Sequence, residues 1–311
     1  MYRKCPLYAL KSKKKLASLL HITDKKWFKE DYVQSQIYPY IDKASKPRLV
    51  EAPSKELKLI QKKIKNYLMK CDMPLNIYSG VKGKSYVDNA KEHLNHSYLY
   101  KIDISAFFPN ISREKVYCFF IEQLQTSPDV AKILTNLCTS NLNRPLSNEL
   151  EINNFLKSKG IRSANHLCTG SSPSPILSYL VNQKMFNEIE YLCVKNRIHT
   201  TVYVDDIVLS SSKQISILIR KQILAIVNRN GYNISTNKVK YYKKSEIKKV
   251  TGVIIKPNKT LDVPNRLRYK IIKYFNNANI GESSSNLKGC LIAAKEINSS
   301  LFPSIYEFIK K

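Results

Sequence analysis

Thr201-Val202-Tyr203-Val204-Asp205-Asp206-Ile207-Val208-Leu209 sets two adjacent carboxylates in the middle of an otherwise apolar run. Alternate residues of a strand point to opposite faces, and neighbouring charges at the centre of such a run are costly unless they are paired or bound to cations. The pattern predicts two short strands joined by a tight acidic turn. A solvent-exposed Asp-Asp turn fits the same nine residues, so the decision rests on what else the chain supplies.

About a hundred residues upstream, Ser97-Tyr98-Leu99-Tyr100-Lys101-Ile102-Asp103-Ile104-Ser105-Ala106-Phe107-Phe108-Pro109-Asn110-Ile111 places a third carboxylate at the end of an aromatic, apolar strand. Three carboxylates gathered from two strands can hold two Mg²⁺ roughly 3.5 to 4 Å apart, the arrangement that activates a hydroxyl and stabilises a leaving pyrophosphate. The chemistry indicated is nucleotidyl transfer.

In these two stretches the chain resembles a reverse transcriptase. The strand ending in Asp103 and followed by Phe108 is similar to the first palm motif of that family, and Tyr203-Val204-Asp205-Asp206 to its signature tetrad. Asn89-Ala90-Lys91-Glu92-His93 and Val250-Thr251-Gly252 resemble two elements of the bacterial retron branch, in the expected order around the palm motifs. Retron enzymes copy a structured non-coding RNA into a branched RNA-DNA hybrid, msDNA. The resemblance spans about residues 45 to 256, and the remainder follows by position only.

The resemblance implies an α+β, right-hand polymerase fold. Residues 1–96 would form N-terminal helices and fingers, residues 97–256 a palm of antiparallel sheet and helices with interleaved fingers segments, and residues 257–311 a small helical thumb that recognises RNA. Two Mg²⁺ would be held by Asp103, Asp205 and Asp206, with Ile104 contributing beside them. Arg48, Phe108, Gly170 and Lys238 would bind nucleotide: Arg48 on the triphosphate, Phe108 as a steric gate against the ribose 2′-OH, Lys238 toward the pyrophosphate. A guanidinium suits phosphate because it contacts two oxygens at once. Plain alternatives stay open for each: a surface arginine on a strand, a Phe107 or Phe108 that packs the core, a surface lysine. The family usually carries Leu-Pro-Gln-Gly where this chain has Leu167-Cys168-Thr169-Gly170, so the roles of Cys168 and Thr169 are in doubt.

Composition points the same way. Lys and Arg number 52 against 24 Asp and Glu, a net charge of +28 on 311 residues. Such an excess calls for a polyanion, and because no apolar stretch approaches the roughly 20 residues of a spanning helix and no signal peptide is evident, the expected partner is nucleic acid, not a membrane. The basic residues are spread along the chain, as suits a protein that follows a phosphate backbone across subdomains. Hydrophobic residues at 43% provide for one large core or two linked ones. Seven cysteines without a Cys-x-x-Cys pair argue against a disulfide framework or a zinc ribbon and for a reducing, cytoplasmic setting.

The remaining segments carry local signals. A basic cluster, Lys11 to Lys15, precedes an expected helix that includes Trp27 and Phe28. Lys46-Pro47-Arg48-Leu49-Val50-Glu51-Ala52-Pro53 reads as the fingers strand. From Lys55 to Lys70, Leu57, Ile60, Ile64, Tyr67 and Leu68 recur at helical spacing with lysines opposite. Ile77 to Ser85 has glycines and lysines but not the spacing of an NTPase loop, and reads as a turn. Residues 112–140 read as helical and 141–166 as a loop or inserted hairpin. Gly170 precedes an apolar helix whose N-terminus offers free N–H groups, and Ile215 to Asn228 reads as another helix. Arg266, Arg268, Tyr269, Lys270, Lys273 and Tyr274 cluster at the start of a helical bundle, suited to an RNA stem read through shape and phosphates.

Expected partners are therefore the cognate non-coding RNA, its msDNA product, dNTPs and, by resemblance to retron defence systems, an effector such as an ATPase with an HNH nuclease. A differently primed bacterial reverse transcriptase, or a polymerase-like RNA-binding scaffold, would account for the same residues.

Overall fold

A computed structural model describes residues 1–43, 47–279 and 285–310. Lys46, expected at the start of the fingers strand, and Lys311 lie outside the described residues, as do 280–284 within the expected thumb.

The chain opens with α1 (Lys13–Leu20), capped by the Ser12 hydroxyl, and α2 (Glu30–Ser35). The helix expected to include Trp27 and Phe28 is interrupted: α1 stops at His21 in the left-handed region, φ 53°, and both aromatics fall on a separate 3-10 turn, Lys25–Phe28, capped by Asp24. An antiparallel hairpin follows, β1 (Ile37–Asp42) with β2 (Arg48–Pro53). Helix α3 (Lys55–Leu68) starts at the Ser54 cap and buries Leu57, Ile60, Ile64 and Leu68, the apolar stripe that its sequence spacing predicts. A Ser85–Asp88 capping box starts α4 (Tyr86–Lys91).

After β3 (Tyr98–Asp103) come α5 (Arg113–Cys118), a π-helical stretch Phe119–Gln123, and α6 (Pro128–Cys138), with Ser127 as N-cap and proline at the first helical turn. The segment 141–166 is more ordered than its polarity suggests. Strand β4 (Thr139–Asn141) pairs with β5 (Asn165–Leu167), and between them lies α7 (Glu149–Ser158), whose Ile152 and Leu156 join Leu49 and Leu142 in a small core of their own. Helices α8 (Ser174–Val181) and α9 (Gln183–Lys195) lead into the hairpin β6 (His199–Tyr203) and β7 (Asp206–Ser211). Helix α10 (Ile217–Arg229), strands β8 (Lys240–Tyr242), β9 (Lys248–Val250), β10 (Val253–Ile255) and β11 (Leu261–Asp262), and helices α11 (Asn265–Asn279), α12 (Ser285–Ile297) and α13 (Pro303–Lys310) complete the chain.

The fold is α+β. Its centre is a four-stranded antiparallel sheet in the order β6-β7-β3-β8. One large core runs from the N-terminal helices to this sheet, with Ile102 of β3, Val202 of β6 and Ile207 and Leu209 of β7 among its members. A second core joins Leu99 of β3 and Val208 of β7 to Val87 and Ala90 of α4, Val250 and Val253, and Ile271, Leu287 and Leu291 of α11 and α12. The C-terminal helices thus share a core with the central sheet. All seven cysteines are free; five are buried, Cys290 is half-buried and Cys118 is exposed. Among the described residues no helix is long and apolar enough to cross a membrane.

Candidate active site

Val204 and Asp205 form the two-residue link between β6 and β7, which closes on the pair Tyr203 and Asp206. Val204 sits at φ 58°, a region that a β-branched side chain enters only under strain, at a cost of about 1–3 kcal/mol. On the other side β7 pairs with β3 in a register that sets Asp206 directly opposite Asp103. The Ile104 N–H donates to the Asp205 carbonyl at 2.9 Å, and the Ser235 N–H to the Asp103 carbonyl at 2.9 Å. The three carboxylates are thereby gathered at one end of the sheet by backbone ladders alone.

Their electrostatics are incompletely balanced. Burial, followed by the charges of Asp206 and Asp103, pushes Asp205 up to about 6, and burial also raises Asp206 against the opposing pull of Lys101. Lys101 Nζ donates to Asp206 Oδ2 at 2.8 Å, while Asp206 Oδ1 is buried with no partner. Lys238, on a 3-10 turn (Thr236–Lys238), donates to Asp103 Oδ1 at 2.6 Å.

Three carboxylates with an orphaned oxygen among them suit hard divalent cations, which take oxygen ligands. In this conformation, among the described residues, no three His, Cys, Asp or Glu side chains are arranged to hold a metal ion. In the same conformation Lys238 is paired with Asp103 and Lys101 with Asp206. Lys101 was not foreseen from the sequence, although it stands two residues before Asp103 and so on the same strand face.

Phe107 and Phe108 separate clearly. Phe107 is buried against Phe186 and Tyr232, whereas Phe108 is half-buried at the start of a 3-10 turn, Phe108–Asn110, just beyond the Asp103 strand. Arg48 is exposed at the first position of β2, opposite Asp42. A Cβ on Gly170 would stand 2.2 Å from the Glu51 carbonyl oxygen, so only glycine fits where the loop after β5 meets β2.

That meeting explains the two unusual residues before Gly170. The Glu51 N–H donates to the Thr169 hydroxyl at 3.0 Å, and the Thr169 N–H to Glu51 Oε2 at 2.8 Å. The buried Cys168 thiol, pushed well above its usual range by burial, donates to the Glu51 carbonyl at 3.4 Å. His166 Nε2 meets Glu51 Oε1 at 3.1 Å and its Nδ1 meets the Ser163 carbonyl at 2.7 Å. With acceptors at both ring nitrogens, the imidazole is held as the cation. Burial alone would lower His166, but the Glu51 carboxylate raises it; burial would raise Glu51, but the imidazolium lowers it. None of this was legible as a site in the sequence, where the partners stand more than a hundred residues apart.

The two weaker motifs converge. Asn89 Nδ2 donates to the Thr251 hydroxyl at 3.4 Å, and that hydroxyl donates to the Tyr86 carbonyl at 2.8 Å. His93, fully buried, bridges Ser210 of β7 at 2.7 Å and Thr201 of β6 at 2.8 Å, bracing the acidic hairpin from behind. Burial first, and then His199 and His96, push its pKa well below the usual value, so the bridge is neutral. On α11, Arg266, Tyr269, Lys270 and Lys273 are exposed, whereas Arg268 is drawn inward to the Asp262 carboxylate and the Val263 carbonyl.

The sequence matches the family described as Reverse transcriptase (RNA-dependent DNA polymerase) over residues 39–255. It is 28% identical over 240 residues to the Retron Se72 reverse transcriptase of Salmonella heidelberg, an alignment that covers 74% of this chain and 57% of that protein. Against the Retron Ec83 reverse transcriptase of Escherichia coli it is 27% identical over 229 residues, covering 71% and 69%. Against the Retron Ec86 reverse transcriptase, also of Escherichia coli, it is 24% identical over 271 residues, covering 85% and 76%. The chain thus spans little more than half the length of the Salmonella relative. A match that runs through β3, the 167–170 loop and the acidic hairpin, and takes in most of the chain, means that this protein belongs to the reverse transcriptase (RNA-dependent DNA polymerase) family.

Proposed function

We propose that this protein is a retron-type RNA-directed DNA polymerase, which copies a structured cognate non-coding RNA into RNA-linked single-stranded DNA, msDNA, primed from an RNA 2′-OH. The observation that carries the reading is the Asp103, Asp205 and Asp206 cluster, in which a strained turn and an unpartnered Asp206 oxygen keep negative charge available. Residues 1–96 serve as N-terminal helices and fingers, 97–256 as palm with interleaved fingers segments, and 257–311 as thumb.

Asp103, Asp205 and Asp206, with the Ile104 main chain beside them, would hold two Mg²⁺. Bound there, such ions supply Lewis acidity to the attacking hydroxyl and the triphosphate. Arg48 binds the triphosphate, Gly170 lets the backbone approach the nucleotide, and Phe108 excludes a ribose 2′-OH. Lys238, paired with Asp103 at rest, turns to the developing charge on pyrophosphate. Arg266, Tyr269, Lys270 and Lys273 are supported as RNA contacts by their exposure, while Arg268 acts through its hold on Asp262. The resemblance to retron systems extends the proposal to anti-phage defence in the cytoplasm, with an effector such as an ATPase and an HNH nuclease.

The test is to recover the protein from its native locus, strip the protein from its nucleic acid, and sequence the remainder with and without RNase and debranching enzyme. DNA joined to RNA and released by debranching is the expected result. DNA without a branch would indicate a differently primed reverse transcriptase, and RNA alone a scaffold.

A further inference from the structure

Strand β2 has two faces. Leu49, Glu51 and Pro53 point inward, and Arg48, Val50 and Ala52 lie on the opposite face with Tyr38 and Tyr40 of β1. Every polar atom that Glu51 offers on the inner side is engaged: its N–H by Thr169, its carbonyl by Cys168, one carboxylate oxygen by the Thr169 N–H and the other by His166. Glu51 and His166 are both fully buried, and Arg144 is the other charged group that senses the Glu51 carboxylate. The missing Cβ of Gly170 lets the two backbones meet, and Leu49 is packed into the small core with Leu142, Ile152 and Leu156. Sliding or lifting β2 from the loop would leave a buried charge without its partner, a state that is rarely populated.

We propose that Glu51, His166 and Thr169 form the positioning device for the incoming nucleotide, holding the strand that carries Arg48 against the loop that carries Gly170 so that the pocket is set before the nucleotide arrives. This rests on the polymerase reading above. Nucleotide binding then avoids the loss of affinity that comes when only a fraction of molecules is competent. Thr169, in place of the glutamine usual in the family, has its hydroxyl committed to the Glu51 N–H and acts through the strand, not on the nucleotide.

The experiment measures dTTP incorporation on poly(rA)/oligo(dT) for wild type, Thr169→Val, Thr169→Ser and Glu51→Gln, together with hydrogen exchange of the β1–β2 amides. Thr169→Val is expected to raise KM for dTTP about tenfold with kcat within about twofold, and Thr169→Ser to restore it. Free wild type is expected to protect the amides of residues 48–52 already, with dTTP adding little, whereas Thr169→Val exchanges faster and is re-protected by dTTP. Glu51→Gln should show the same split, enlarged; if it does not fold, Thr169→Val alone decides. An unchanged KM in Thr169→Val, or wild-type amides that exchange freely until dTTP binds, overturns the proposal. A wild type that adds no dTTP at all overturns the polymerase reading instead, and exchange in the free proteins still decides whether the clamp exists.

Discussion

The acidic hairpin and the Glu51 cluster bury negative charge in opposite ways. Around Glu51 the charge is matched at every atom, its pKa is lowered, and glycine permits an unstrained close approach. Around Asp205 the charge is under-matched: its pKa is raised to about 6, a neighbouring oxygen has no partner, and Val204 holds a backbone conformation that suits it poorly. A fully satisfied buried charge holds two segments together. A half-satisfied one keeps free energy in reserve for a cation and a substrate.

Substitution should separate the two sites. Asp205→Asn is expected to abolish DNA synthesis, by at least about a thousandfold, while leaving RNA binding intact in a filter assay; in EDTA it should raise the melting temperature by removing carboxylate repulsion. Full synthesis in that variant would sink the metal assignment. Phe108→Ala should reduce discrimination against ribonucleotides by about ten- to a hundredfold, read from the ratio of kcat/KM for dNTP and rNTP, with little loss of stability because Phe107 fills the core.

On the matched side the sign reverses. Glu51→Gln should cost about 3 kcal/mol in denaturant unfolding, since it strands the His166 cation. The same pair sets a pH window. His166 is raised, so its contribution is full below its usual value of 6.5 and is lost as pH climbs through the folded value; Glu51 is lowered, so its contribution is full above 4.5 and is lost as pH falls through its folded value. Wild type should therefore exceed His166→Asn most between those values and lose the advantage at alkaline pH, as thermal melts would show. The smallest effect belongs to Val204→Gly, expected to gain about 1 kcal/mol or less of stability while slowing synthesis severalfold as the turn loosens.

Much of the candidate site's backbone geometry could be read from the chain because it is local. The run around Asp205 and Asp206 alternates as strands do, and the strand leading to Asp103 is equally regular. Residues 141–166 read as a loop or inserted hairpin because Asn, Ser and charge dominate them; the β4–β5 pair flanks a helix, Glu149–Ser158, whose Ile152, Phe155 and Leu156 stand at helical spacing. Glu51, His166 and Thr169 share no such pattern, and only the folded chain brings them together. Lys101 was hidden for another reason: one lysine among so many carries no signal until its partner is known.

The second core has a mechanical consequence. Ile271, Leu287 and Leu291 of the C-terminal helices share one core with Leu99 and Val208, which lie four residues before Asp103 and two after Asp206 on their strands. Close-packed interiors are stiff and transmit load with little compliance. If α11 serves as the proposed thumb, a duplex that leans on it would load the core that the two central strands share, and the grip on the product would be felt where the next bond is made.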